Sequence, residues 1–181
     1  MVKLDVITTR GGDSGQTSLG DGTRVPKDAP RIEALGAVDE ANTAIGLLRL
    51  HTAQEEDAML ARIQNDLFDL GADLSVPGEA GGLRVSPEQC LRLERELARM
   101  NAELPPLRSF VLPGGTPAAA HAHLARALSR RAERAVVALA ADEHVNGDAI
   151  RYLNRLSDHL FVLSRSLNMG QDPLWQPGEN R

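Results

Sequence analysis

The chain of 181 residues carries 20 Lys and Arg against 25 Asp and Glu, a formal net charge of -5, and one cysteine. That balance excludes a general nucleic-acid binder, whose footprint is a basic field, and a lone cysteine excludes an internal disulfide and points to a reducing compartment. Charges interrupt every apolar run well short of the roughly 20 residues of a membrane span, and the N-terminus lacks the apolar core of a secretory leader, so a cytoplasmic protein with no membrane or nucleic-acid partner is expected.

In chain order, the first feature is a segment rich in glycine and hydroxyl side chains: Thr8, Thr9, Arg10, Gly11, Gly12, Asp13, Ser14, Gly15, Gln16, Thr17, Ser18, Leu19 and Gly20. Glycines let backbone N–H groups turn onto an anion, hydroxyls add donors, and Arg10 adds charge. A carboxylate such as Asp13 can order the loop or hold a magnesium ion. Gly15 and Gly20 have the outer spacing of a P-loop, but Asp21 and Gly22 stand where Lys and Ser or Thr should follow. A phosphate site outside the Walker pattern and a mobile glycine-rich terminus both fit. Lys27 is one of only two lysines among those 20 cationic residues, and a compact ammonium suits phosphate.

Helical periodicity takes over after Pro30. Ile32, Leu35, Val38, Asn42, Ile45 and Leu48 form one stripe, with Asp39 and Glu40 beside it. Met59, Ile63, Leu67, Leu70 and Leu74 form a second stripe that ends before Pro77 and Gly78. Ser86, Pro87 and Gln89 read as N-cap, N1 and N3 of a third helix with Cys90, Leu93, Leu97 and Met100 on one face. Cys90 is expected to pack rather than react. Ser109 to Gly115, an extended apolar loop containing Phe110, leads to Thr116-Pro117 at the start of a fourth helix. That helix runs to about Ala141 by way of Leu124, Leu128, Ala135 and Leu139. A fifth starts near Asp148 and carries Ile150, Leu153, Leu156, Leu160, Leu163 and Leu167. The expected fold is all-α: one domain over residues 1–181, with an N-terminal segment (1–29), an antiparallel five-helix bundle (30–170) and a C-terminal tail (171–181).

Chemistry concentrates on the last two helices. Arg126, Arg130 and Arg134 recur at four-residue spacing, with Arg131 beside them and Glu133 on an adjacent face. Such like-charge pairs repel unless a carboxylate or a bound polyanion offsets them, so the row is either a solvated face or a phosphate site. Asn154 and Asp158 lie close to the leucine stripe and need partners, in an internal network or on a ligand. His121 and His123, two apart on a helix, point in different directions and make a poor metal pair. No nucleophilic triad is supported.

Six ordered motifs resemble those of the PduO-type ATP:cob(I)alamin adenosyltransferases. They are Thr9 to Leu19, Val25 to Asp28, Arg31 to Glu40, Phe110 to Gly115, Arg130 to Arg134 and Asn154 to Phe161. The resemblance implies transfer of the 5′-deoxyadenosyl group of ATP to cob(I)alamin with release of triphosphate, in a homotrimer with a site at each subunit interface, with Mg2+. It implies that Thr8 to Thr17, Lys27, Arg130, Arg131 and Arg134 bind phosphates, that Glu133 and Asn154 position the nucleotide, and that Asp39 meets Arg130 across the interface. Phe110 matches the aromatic beside the corrin that helps exclude the lower axial ligand. Gly11 stands where threonine is common, so no side-chain role follows for it, and no direct metal ligand is assigned. A cobalt reductase and an adenosylcobalamin-dependent enzyme are the implied protein partners. The rival expectation is a helical ATP-binding regulator, or an adenosylcobalamin carrier without turnover.

Overall fold

Prolines at helix starts and breaks in the apolar stripes set the boundaries of the secondary structure. In the computed structural model, which describes residues 7–78 and 82–179, two short strands lead into five helices. These are β1 (Gln16–Ser18), β2 (Arg24–Pro26), α1 (Pro30–Arg49), α2 (Gln54–Ser75), α3 (Pro87–Ala102), α4 (Pro117–Leu139) and α5 (Gly147–Leu167). Pro30, Pro87 and Pro117 occupy first helical positions, where a missing N–H is harmless. Both expected caps form: Gln89 Oε1 accepts the Ser86 N–H at 2.8 Å, and Thr116 Oγ1 accepts the Ala119 N–H at 3.1 Å. Helix α5 starts one residue before the expected Asp148, because Asn146 caps it by accepting the Asp148 N–H at 3.0 Å.

The helices pack in the spatial order α2, α1, α4, α5, α3. The chain reverses at each connection, so odd-numbered helices run one way and even-numbered ones the other. Helix α1 is thus antiparallel to α4, and the α1 end at His51 stacks on His121 near the α4 start, ring centroids 4.7 Å apart. The neighbours α3 and α5 are parallel: Cys90 lies by Asp148, Glu94 by Arg155 and Glu96 by His159. His123, by contrast, is buried edge-on to Phe161, so the two histidines do diverge.

The α4 stripe differs from expectation. Leu124 is 46% exposed, and the buried face is built mainly of Ala118, Ala119, Ala122, Ala125 and Ala132, with His123, Ser129, Val136 and Leu139. Helix α4 is wedged between α1 and α5, and alanines allow both neighbours to approach closely. Leucine dominates elsewhere, with Leu60, Leu67, Leu70, Leu93, Leu153, Leu156 and Leu160 buried around Ile45 and Ile63.

A polar cluster joins α2, α3 and α5. Tyr152 Oη donates to Asp66 at 2.6 Å, Arg92 pairs with the same carboxylate, and Gln89 Nε2 donates to it at 3.1 Å. Next along the helices, Glu96 receives Arg62 at 3.0 Å and His159 at 3.2 Å. Burial, and then the Asp66 charge, push the Tyr152 phenol well above its ordinary pKa, so the hydroxyl stays a donor. Tyr152→Phe removes that donor from a buried carboxylate. It should cost about 1–2 kcal/mol and lower the thermal midpoint by roughly 2–8 °C; an unchanged midpoint would mean that Arg92 and Gln89 alone satisfy Asp66.

Candidate active site

The N-terminal segment is held in shape by a hairpin that the periodicity did not reveal. Strand β1 pairs antiparallel with β2, Thr17 opposite Val25 and Gln16 opposite Pro26. This returns Lys27 to the glycine turn, where its N–H donates to the Gly15 carbonyl at 2.9 Å. A Cβ on Gly12 would stand 2.9 Å from Lys27 Nζ, so the missing side chain leaves room for the ammonium over the turn. Arg24, which sequence reasoning passed over, ties the loop together: it donates to the Gly11 carbonyl at 2.7 Å and to Ser18 Oγ at 3.2 Å. Gly20 docks the hairpin on the end of α2, its N–H donating to the Ser75 carbonyl at 2.9 Å. A Cβ there would lie 2.6 Å from Ser75 Oγ. Thr8, Thr9, Arg10, Gly11, Asp13, Ser14, Gly15 and Gln16 are exposed, Gly12 and Thr17 half-buried.

Four of the expected residues converge on one cavity of about 390 Å³ between α4 and α5: Arg130, Glu133, Arg134 and Asn154, with Val137 and Ala138. Asn154 Nδ2 donates to Glu133 at 2.9 Å, while Arg155 donates to Asn154 Oδ1 at 2.8 Å and to Glu94 at 2.7 Å. The amide is therefore held in one orientation. Asp158, one turn on, is exposed instead. Arg130 and Arg134 are exposed and make no hydrogen bond or ion pair among the described residues. Arg131 turns the other way, toward α1, and pairs with Glu33 at 3.0 Å and with Glu40.

Phe110 lines a second cavity, about 500 Å³, with Leu107, Ser109, Val111, Arg126 and Phe161. The loop bearing it is zipped to the C-terminal segment: the Trp175 N–H donates to the Phe110 carbonyl at 2.8 Å, the Leu112 N–H to the Pro173 carbonyl at 2.8 Å, and Ser109 Oγ to the Trp175 carbonyl at 2.7 Å. The Phe110 and Trp175 rings lie 5.9 Å apart. Asn168 fixes the far end of the loop, accepting the Thr116 N–H at 2.9 Å and donating to the Gly114 carbonyl at 3.1 Å. Phe110 itself remains 77% exposed.

Asp39 lines a groove of about 370 Å³ between α1 and α2 with Asn42, Ser75 and Phe68, whose ring is 72% exposed. One chain therefore does not join the parts. The loop with Lys27 sits against the end of α2, Asp39 faces outward from α1 and α2, and Arg130 and Arg134 face outward from α4 and α5. Along α4, the row from Arg134 to Arg126 covers eight residues, about 12 Å, and connects the polar cavity to the apolar one. No cluster of three or more His, Cys, Asp or Glu able to hold a metal occurs among the described residues, and no helix there is long and apolar enough to cross a membrane.

The bundle and its surfaces define a helical protein in which a cationic cavity and an apolar cavity lie along one helix. The cobalamin adenosyltransferase family matches residues 7–167, and the chain belongs to that family. It is 52% identical over 179 residues to the cobalamin adenosyltransferase of Cupriavidus metallidurans, covering 96% of each protein. It is 43% identical over 164 residues to the corrinoid adenosyltransferase PduO of Salmonella typhimurium, covering 88% of this chain and 49% of that protein. Among solved structures it is similar to a phenylalanine-to-alanine variant of a PduO-type ATP:corrinoid adenosyltransferase from Lactobacillus reuteri complexed with cobalamin and ATP. There the TM-score is 0.90 and the identity 35%, covering 94% of this chain and 99% of that one.

Arg24 gives a direct test of the loop. Arg24→Ala should weaken binding of inorganic triphosphate about three- to tenfold, measured by calorimetry, through loss of loop order rather than of a contact. Unchanged affinity would show that the hairpin alone holds the loop.

Proposed function

We propose that the chain transfers the 5′-deoxyadenosyl group of ATP to cob(I)alamin, forming adenosylcobalamin and releasing triphosphate. The observation that carries this reading is the convergence of Arg130, Glu133, Arg134 and Asn154 on one cavity, joined along α4 to the apolar cavity under Phe110. In a member of the cobalamin adenosyltransferase family, that pairing suits a polyanionic nucleotide set beside a large, mainly apolar macrocycle.

The reaction needs no nucleophile from the protein. Cobalt(I) is the nucleophile; it attacks C5′ of the ribose, the bond from C5′ to oxygen breaks, and triphosphate leaves with the bonding pair. The protein's work is positional and electrostatic. Thr8 to Thr17 and Lys27 cradle the phosphates, and Arg130 and Arg134 stabilise the charge that grows on the leaving group. Glu133 holds Asn154 against the nucleotide. Phe110 presents an apolar ring to the corrin and disfavours a lower axial ligand, which eases the preceding reduction of cobalt(II). Bound Mg2+ would neutralise triphosphate charge, and Asp13, the only carboxylate of the turn, is the residue that would help to hold it.

The separation of the loop, Asp39 and the arginines within one chain favours a site shared between subunits. We infer a homotrimer in which Asp39 of one subunit pairs with Arg130 of the next, closing the loop of one against the arginine cavity of the other. A cobalt reductase supplies the electron and an adenosylcobalamin-dependent enzyme takes the product, within the cytoplasm that the buried thiol of Cys90 suits.

Anaerobic mixing with ATP, Mg2+ and chemically reduced cob(I)alamin should give the adenosylcobalamin spectrum with stoichiometric triphosphate; ATP binding without turnover would favour a regulator or carrier. Arg134→Ala should retain the fold and lose about 100-fold in kcat/KM, and a loss under about threefold would remove Arg134 from the leaving-group site. Asp39→Arg should abolish the trimer in light scattering, and adding Arg130→Asp should restore it. Persistent monomer in the double variant would sink the proposed interface pair.

A further inference from the structure

Two charged residues of α4 are not used by the phosphate site: Arg131, which pairs with Glu33 and Glu40 of α1, and Arg126. Its side chain lines the Phe110 cavity, whose other walls are Leu107, Val111, Phe161 and Ser109, and the Ser109 hydroxyl is already donating to the Trp175 carbonyl. Arg126 Nε is buried with no hydrogen-bond partner, and the guanidinium has no carboxylate against it among the described residues. Burial lowers its pKa and the neighbouring Arg130 lowers it further. One turn back, His123 is 2% exposed with both ring nitrogens unpartnered; burial, then the Arg126 charge, hold its pKa down, which avoids a second positive charge beside Arg126. An unpaired, half-buried guanidinium in an apolar cavity is costly unless something arriving there accepts its hydrogen bonds. An occupant that combines a large apolar surface with an oxygen acceptor near Arg126 would match both the walls and the buried Nε.

Resting on the adenosyltransferase reading, we propose that Arg126 binds an oxygen on the periphery of the corrinoid, either a carboxamide of the ring or the phosphodiester of the nucleotide loop. Arg126 then sets the affinity and seating of the corrinoid, while Arg130 and Arg134 serve ATP. The three arginines divide one helical row between two substrates.

The test is equilibrium binding of cob(II)alamin in the presence of ATP and Mg2+, followed by absorption, beside binding of ATP alone. Arg126→Met keeps the aliphatic stem and removes the charge and donors. It should raise the cob(II)alamin dissociation constant about tenfold or more, as expected for losing a charge-assisted hydrogen bond, with ATP affinity within about twofold of wild type. Arg126→Lys, which keeps the charge without the planar fork, should recover part of the loss. Equal weakening of ATP and corrinoid, or no change in either, would overturn the assignment. Repeating the titration with cobinamide, which lacks the phosphodiester, separates the two acceptors: a loss of the same size identifies a ring carboxamide, and a loss confined to cobalamin identifies the phosphodiester. Wild-type protein that binds no corrinoid would overturn the adenosyltransferase reading and this proposal with it. Corrinoid binding by wild type with an unaltered Arg126→Met overturns this proposal alone.

Discussion

Three guanidinium groups stand one turn apart on α4, and none meets a carboxylate among the described residues. Repulsion between such neighbours is worth roughly 0.2–0.5 kcal/mol per pair, so the helix must be held by something other than its own surface. Two features do this. Its opposite face is a strip of alanines pressed between α1 and α5, and Arg131 reaches across to Glu33 and Glu40 of α1. The buried inner face sets the rotation of α4 and turns Arg130 and Arg134 toward the groove against α5, while the exposed pairs with Glu33 and Glu40 draw Arg131 the other way. A charge that looks like one more member of the cationic row thus ties α4 to α1 instead.

The two cavities along α4 are built by different means. The polar one is lined by side chains of two adjacent helices and inherits their rigidity; its amide is clamped by Glu133 and Arg155, and Arg155 is itself anchored on Glu94 of α3. The apolar one depends on irregular backbone, the loop around Phe110, which would be loose without its hydrogen bonds to residues 173–175 and to Asn168. Holding a large aromatic ring in water requires such bracing, because the ring gains nothing from burial until a ligand covers it.

Much of this was legible from residue order. Apolar spacing and proline placement located all five helices, and the Ser86 and Thr116 caps follow from short polar signals that act through neighbouring backbone. What escaped depends on tertiary surroundings. Leu124 has the right spacing to be buried, yet the closeness of α1 and α5 favours alanine on the inner face and leaves the leucine outside. The hairpin of β1 and β2 escaped because each strand has three residues, too few to show a period of two. The polar cluster of Asp66, Arg92, Glu96, Tyr152 and His159 joins three helices distant in sequence, and no local pattern announces it. Among candidate site residues, the motifs singled out the arginines, Glu133 and Asn154 that share a cavity. They gave no sign that Arg131 would turn to α1 or that Arg24 would brace the loop.

The described residues form five helices, and that odd count puts the entry to α1 and the exit from α5 at opposite ends of the bundle. With α1 at 20 residues, the bundle is about 30 Å long, and a strand of chain entering at one end leaves at the other. The segment before α1 sits by the end of α2, whereas residues 173–175 lie along the Phe110 loop near the start of α4. A domain, tag or tether joined ahead of the hairpin would stand beside the glycine turn and Lys27. The same cargo carried on the strap of residues 173–175 would lie beside the Phe110 loop instead, at the opposite end of the bundle. A bundle of four or six helices would have brought both attachments to one face and given them no such choice.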